Sequence, residues 1–200
     1  MHMKPDIILA SNSPTRQKLL INSNISFRTI TSNVDEALIK HHCKNNNIPI
    51  YEISEILADS KARKVSLNNK LSVIIGREQT LIFNNTILSK QKNKKDILER
   101  LYTLNNNTHT LLTSAVIYSH SKLVWKITTK VILKMRYNDK QYLKDYVNRN
   151  YNQIVNSSGC YMIEGEGVRL FEHIEGDCFS ILGMPLVEIL SFLNLNSESN

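Results

Sequence analysis

Ile7-Ile8-Leu9-Ala10-Ser11-Asn12-Ser13-Pro14-Thr15-Arg16 is the stretch whose reading decides the fold. Four consecutive apolar residues bounded by polar ones read as a short buried strand. Pro14 then suits the first turn of a helix, where its missing N–H costs nothing. The spacing predicts strand, tight turn and helix, the helix running from about 14 to 24 with Leu19 and Leu20 turned inward. The junction is also the best anion site in the chain. Ser11, Asn12 and Ser13 offer hydroxyl, amide and backbone donors at a helix N-terminus, and Arg16 follows one turn in. On spacing alone, the plain reading of Ser13 as a helix cap and Arg16 as a surface charge is the favoured one.

Outward from this junction, residues 27–31 read as a second strand and 35–44 as a helix, before the polar Asn45-Asn46-Asn47 loop. Ile53, Ile56 and Leu57 recur at helical spacing between 51 and 66. Lys61 falls four residues after Leu57 on the same face, so it faces inward or into a cleft. Residues 72–76 and 80–83 read as two strands, and Ile97, Leu98, Leu101 and Leu104 mark a helix. Two long strands follow at 111–118 and 124–135, the second alternating Lys126, Lys130 and Lys134 against Ile127, Val131 and Met135. Tyr142, Leu143, Tyr146 and Val147 predict another helix, and a C-terminal one begins at Pro185; residues 194–200 are expected to fray. Strands and helices mix along the chain, which is the pattern of an α/β protein with a mixed sheet flanked by helices.

The chain has 200 residues, 42% of them apolar, enough for one domain with a real core. No apolar run approaches the roughly 18 residues a membrane span needs, and Met1 to Lys4 carries no signal-peptide pattern, so the expected location is cytoplasmic. Cys43, Cys160 and Cys178 are odd in number and widely spaced, which argues against a disulfide framework or a structural zinc site. A net charge of +7 favours an anionic partner. The basic residues are scattered, and Lys92, Lys94 and Lys95 open a helix as a solvated face. No RNP-like, KH-like or zinc-finger pattern accompanies them, so neither nucleic acid nor membrane is the expected partner. His41-His42-Cys43 lacks a third ligand nearby, His109 suits a hydrogen-bonding role at a strand entry, and Trp125 suits packing.

Ser11, Ser13, Pro14 and Arg16 match the opening L-A-S-x-S-P-R-R motif of the Maf family, with Thr15 in place of its first arginine. The resemblance continues in order. Val34-Asp35-Glu36 resembles V-D-E, Leu57-Ala58-Asp59-Ser60-Lys61-Ala62 resembles L-A-x-x-K-A, and Ile75-Gly76-Arg77-Glu78-Gln79-Thr80 stands where the family has I-G-A-D followed by Thr or Gln. Thr108-His109 and Thr113 to Val116 fit next. Glu164-Gly165-Glu166-Gly167, Leu170 to Asp177 and Ile181 to Leu186 resemble E-G-x-G, L-F-E-x-I-E-G-D and L-G-L-P-L. These pieces, in order over residues 7–193, identify the chain as similar to Maf proteins along most of its length.

The resemblance implies one Maf-like domain over 1–200, with an elongated mixed sheet flanked by helices and two lobes around a central cleft, like the inosine triphosphatases. It implies hydrolysis of a nucleoside triphosphate to the monophosphate and pyrophosphate with a divalent cation, Mg²⁺ or Mn²⁺, and by analogy a homodimer. Carried over by position, Ser11, Ser13 and Arg16 grip phosphate, Glu36 and Glu78 hold metal, and Glu78 and Lys61 are the catalytic pair. Lys90 occupies the place of the lysine in the family's G-K-P without either neighbour. Gln79 and Glu164 resemble the branch acting on 7-methyl-GTP rather than the one acting on dTTP and UTP.

Two departures bear on activity. Glu78 replaces the family's aspartate, and one extra methylene moves a carboxylate by about 1 Å, a displacement able to cost on the order of a hundredfold in rate. Arg77 replaces a small residue and either holds phosphate or pairs with Glu78 and withdraws it. The sequence leaves open an active pyrophosphatase and a nucleotide-binding relative that acts through a partner, for example in cell-division arrest.

Overall fold

The structure, a computed structural model, describes residues 5–197. Among the described residues seven strands and seven α-helices mix along the chain, as the sequence pattern predicts. The strands are β1 (Ile7–Leu9), β2 (Arg28–Thr29), β3 (Val73–Phe83), β4 (Thr86–Leu88), β5 (Thr108–Ser119), β6 (Lys122–Met135) and β7 (Phe171–Glu175). The helices are α1 (Pro14–Asn22), α2 (Glu36–Asn45), α3 (Ile53–Ser66), α4 (Lys94–Leu104), α5 (Lys140–Ile154), α6 (Cys178–Ile181) and α7 (Leu186–Ser197). One sheet has the order β2-β1-β3-β5-β6-β7, with β4 also pairing β3. It is mixed, since β1 runs parallel to β2 and β3 while β3–β4 and β6–β7 are antiparallel.

Contacts divide the chain into two compact units: one built from residues up to Gln79, 113–129 and 177 onward, the other from 80–112 and 130–176. In the first unit the period of two along each strand sorts the apolar side chains onto two faces. Ile7, Leu9, Ile75, Ala115 and Ile117 pack with Leu19 and Leu20 of α1 and with Leu186 and Ile189 of α7. Ile8, Ala10, Ile74 and Val116 pack on the opposite face against Ala58, Ala62 and Val65 of α3. Ile8, Leu9, Ile74 and Ile75 are fully buried, and each such side chain contributes about 1.5–3 kcal/mol. The first strand therefore carries apolar residues on both faces, which is why it reads as an unbroken apolar run.

In the second unit, Ile97, Leu101 and Leu104 of α4 and Leu143, Tyr146 and Val147 of α5 are buried. Asn93 and Asp139 cap the two helices by accepting from the amides of Asp96 and Tyr142. His109 lies against the rings of Tyr161 and Phe171 in this core.

Several elements differ from the sequence reading. The two strands expected at 72–76 and 80–83 form a single strand, because Glu78 and Gln79 find hydrogen-bond partners in the fold and Arg77 packs on Gly183. β2 is shorter than 27–31. β4 and β7 have no counterpart in the sequence reading; β4 follows a turn at Asn84 and Asn85, whose φ of 47° and 55° asparagine tolerates better than most residues. The helix α7 reaches Ser197, and the rest of the tail expected to fray lies outside the described residues.

Candidate functional site

The close approach of α3 to β3 sets the geometry. A Cβ on Gly76 would stand 2.5 Å from both the Ala58 carbonyl oxygen and the Ala62 Cβ, so only glycine allows the helix to lie this near. Lys61 precedes Ala62 on the helix, and Glu78 follows Gly76 by two on the same face of the strand. Their side chains meet there, Lys61 Nζ donating to Glu78 Oε2.

Glu36 completes the group. Asp35 caps α2 by accepting from the Leu38 amide at 2.9 Å, which fixes Glu36 at the first helical position. From there its carboxylate lies 2.7 Å from Lys61 Nζ. One ammonium thus bridges two carboxylates, and their charge holds it in place. Burial alone pulls the Lys61 ammonium down, but the Glu78 charge and the hydrogen bonds to Glu36 and Glu78 outweigh this and raise it above the usual lysine range.

The strand-to-helix junction gathers hydroxyl, amide and guanidinium groups at the N-terminus of α1. Ser11 Oγ accepts from Arg16 Nη1 at 3.2 Å and from the Ser13 amide at 3.3 Å. Ser13 occupies the N-cap position of α1, yet its hydroxyl makes no capping hydrogen bond. Asn12 Nδ2 donates to the Thr31 hydroxyl. Burial pulls the Arg16 guanidinium down to about 10, opposed by the charges of Glu78 and Glu36, and leaves it a cation at neutral pH.

Arg77 and Glu78 point to opposite faces of β3, as neighbours in a strand must. Among the described residues no ion pair links them; Glu78 is held by Lys61. Arg77 is 3% exposed and faces Gly183, whose Cβ position would stand 3.4 Å from Arg77 Nη1 and 3.2 Å from Arg16 Nε.

Gln79 lies on the face of β3 opposite to Glu78. Its Nε2 donates to the Thr113 hydroxyl at 3.0 Å and to the carbonyls of Ser180 and Ile181 at 2.8 and 3.1 Å. Three acceptors surround two N–H groups, so this nitrogen is fully used inside its own unit. Lys90 and Glu164 belong to the second unit, each exposed, the former in the segment between β4 and α4 and the latter before a short 3-10 turn at Glu166–Leu170.

The structure thus brings Ser11, Ser13 and Arg16 together at one junction and Glu36, Lys61 and Glu78 together beside it, all within the first unit. Sequence reasoning missed Gly183 as the residue both guanidiniums pack on; the signal was its place in Ile181 to Leu186. It also missed Thr113 and Ser180 as anchors of Gln79, for which no local signal exists.

Among the described residues no group of three or more His, Cys, Asp or Glu is poised for a metal. Glu36 and Glu78 offer two hard oxygen donors, which fits a cation that takes one or two protein carboxylates and fills its remaining positions with phosphate oxygens and water. No described helix is long and apolar enough to cross a membrane.

A family model described as "Maf-like protein" matches residues 6–195. A nucleoside triphosphate pyrophosphatase of Ruegeria sp. (strain TM1040) is 39% identical over 193 residues, covering 96% of this chain and 97% of the relative. A nucleoside triphosphate pyrophosphatase of Roseobacter denitrificans is also 39% identical, over 98% of both chains. A 7-methyl-GTP pyrophosphatase of Brucella abortus biovar 1 is 32% identical over 96% of each.

Proposed function

The chain belongs to the Maf-like protein family, and from that premise we propose that it hydrolyses a nucleoside triphosphate to the monophosphate and pyrophosphate, with 7-methyl-GTP the nucleotide to test first. The observation that carries this reading is the Lys61 ammonium bridging Glu36 and Glu78 beside the Ser11 to Arg16 cradle. It supplies a carboxylate, a cation and an anion grip, the three kinds of group that attack of water at a phosphorus needs.

Ser11, Ser13 and Arg16 hold the phosphate chain at the N-terminus of α1. Glu78 accepts the proton of a water molecule as its oxygen bonds to the α-phosphorus. The bond from that phosphorus to the bridging oxygen breaks, and the leaving group is pyrophosphate. Lys61 keeps Glu78 in position and offsets the negative charge that builds on the phosphoryl oxygens. Glu36 and Glu78 would hold a divalent cation, which supplies Lewis-acid polarisation of the phosphate oxygens. The family resemblance assigns Lys90 to the phosphates and Glu164 to the choice of base. The reaction takes place in the cytoplasm, where nucleotides are held and where three free cysteines stay reduced.

An ion pair between Arg77 and Glu78 would have favoured binding without turnover. Arg77 lies on the other face of β3 and leaves Glu78 to Lys61, which supports turnover. The test is product analysis with 7-methyl-GTP, GTP, dTTP and UTP in Mg²⁺ or Mn²⁺. Release of monophosphate and pyrophosphate in equal amounts is expected; release of diphosphate and phosphate, or no product from any nucleotide, overturns the reading.

A further inference from the structure

Two guanidiniums converge on one backbone position without a counter-charge between them. Gly183 has φ +87°, and a Cβ there would stand 3.2 and 3.3 Å from Arg16 Nε and Nη2 and 3.4 Å from Arg77 Nη1. Arg16 Nε, Arg77 Nε and Arg77 Nη1 are all buried, and none has a hydrogen-bond partner. Arg77 itself is almost wholly shielded from solvent, its exposure being 3%. The nearby carboxylates are committed elsewhere, since Glu36 and Glu78 both pair with Lys61, and Glu78 leaves β3 on the face opposite to Arg77.

Buried charges are normally paired, and buried N–H donors normally find acceptors. Two like charges packed on the same glycine, with three donor nitrogens unused, form an arrangement that an anion completes. The anion must accept several hydrogen bonds from forked donors at once, which is the chemistry of a phosphate group rather than a simple halide. The cradle at Ser11 and Arg16 abuts the pair, because Arg16 belongs to both.

We propose that Arg77, together with Arg16, forms an anion subsite over Gly183 that binds the departing pyrophosphate. The assignment of pyrophosphate rests on the hydrolase reading above; the existence of a phosphate-type anion subsite does not. Arg77 then stabilises a charge that grows as the bond to the bridging oxygen breaks.

The test is binding of inorganic pyrophosphate to the full chain without nucleotide or added metal, followed by calorimetry and by the Nε–Hε resonances of the arginines. Pyrophosphate is expected to bind wild type and to shift the resonances of both Arg16 and Arg77. Arg77→Met, close in length but neutral, is expected to weaken binding about 10-fold to 100-fold, the range for a lost hydrogen bond to a charged group, and Arg77→Lys is expected to lose less. Wild type that does not bind pyrophosphate, or an Arg77 resonance that stays fixed while that of Arg16 moves, overturns the subsite whether or not Arg77→Met folds. Arg77→Met binding like wild type overturns it too. Pyrophosphate binding through Arg77 in a protein that hydrolyses no nucleotide leaves the subsite standing and removes the hydrolase reading instead.

Discussion

Lys61 on α3 reaches Glu78 on β3 because Gly76, two residues before Glu78 on the same strand face, has no side chain to hold the helix away. The pairing of Lys61 with Glu78 is therefore a consequence of helix-to-strand packing. Gly76→Ala places a methyl group 2.5 Å from the Ala58 carbonyl oxygen and the Ala62 Cβ. The helix must shift, and overpacking of this kind costs about 1–3 kcal/mol. Displacing Lys61 from Glu78 by about 1 Å is expected to slow turnover on the order of a hundredfold. Urea unfolding and steady-state kinetics on the same variant check both parts; a destabilised variant with undiminished turnover would disconnect the packing from the chemistry.

Removing the shared cation is expected to be severe. Lys61→Met leaves the Glu36 and Glu78 carboxylates facing one another with nothing between them. Like charges at such range repel, so the two side chains are expected to leave their positions. Turnover is expected to fall by about a hundredfold or more, the size of effect general acid–base catalysis supplies. Undiminished turnover in Lys61→Met, read by steady-state kinetics, would show that Lys61 does not hold the carboxylates in place.

Gln79 offers a way to separate a structural role from base recognition. Its amide nitrogen ties β3 to the Ser180 and Ile181 carbonyls and to Thr113. Gln79→Glu sets a carboxylate oxygen against those acceptors and leaves buried groups unpaired, for about 1–3 kcal/mol of stability. The preference among 7-methyl-GTP, GTP, dTTP and UTP is expected to stay as it is. A changed preference at unchanged stability would instead make Gln79 a reader of the base.

The second unit carries its own pH dependence. Burial pulls His109 from 6.5 to about 4, and its ring stays neutral between Tyr161 and Phe171 in the fold. The unfolded chain binds the proton first, so stability is complete above pH 6.5 and falls as the pH drops from there to about 4. The loss attributable to this one group is about 3 kcal/mol at most. His109→Gln is expected to flatten that part of the stability curve relative to wild type, as read by urea midpoints between about pH 7 and pH 4. Parallel curves for the two proteins would remove His109 as the cause.

Much of this was legible in the sequence. The apolar run from Ile7 to Ala10 and the proline after it mark the first strand and helix, and helical spacing turns Lys61 inward before any partner is known. The segment from Ser72 to Phe83 is harder. Arg77, Glu78 and Gln79 interrupt the apolar pattern and so read as a gap between strands, but Lys61, Gly183 and the Ser180 carbonyl lie far away in sequence and give each side chain a place along one continuous strand. Once the strand is unbroken, the period of two puts Arg77 and Glu78 on opposite faces. The choice between a guanidinium that disables Glu78 and one that does not was therefore hidden only by the misplaced boundary. β7 escapes the pattern because its residues, Phe171 to Glu175, set two apolar side chains among charged ones on a mostly exposed strand.

The most direct test of the account is pyrophosphate release by wild type, Glu78→Gln and Glu78→Asp, measured with 7-methyl-GTP and the other nucleotides in Mg²⁺ or Mn²⁺. The account predicts turnover by wild type, its loss in Glu78→Gln, and a lower rate in Glu78→Asp, whose carboxylate is withdrawn from Lys61. Wild type silent with every nucleotide while Glu78→Asp gains activity would contradict it, and would mean that this chain binds a nucleotide it no longer hydrolyses.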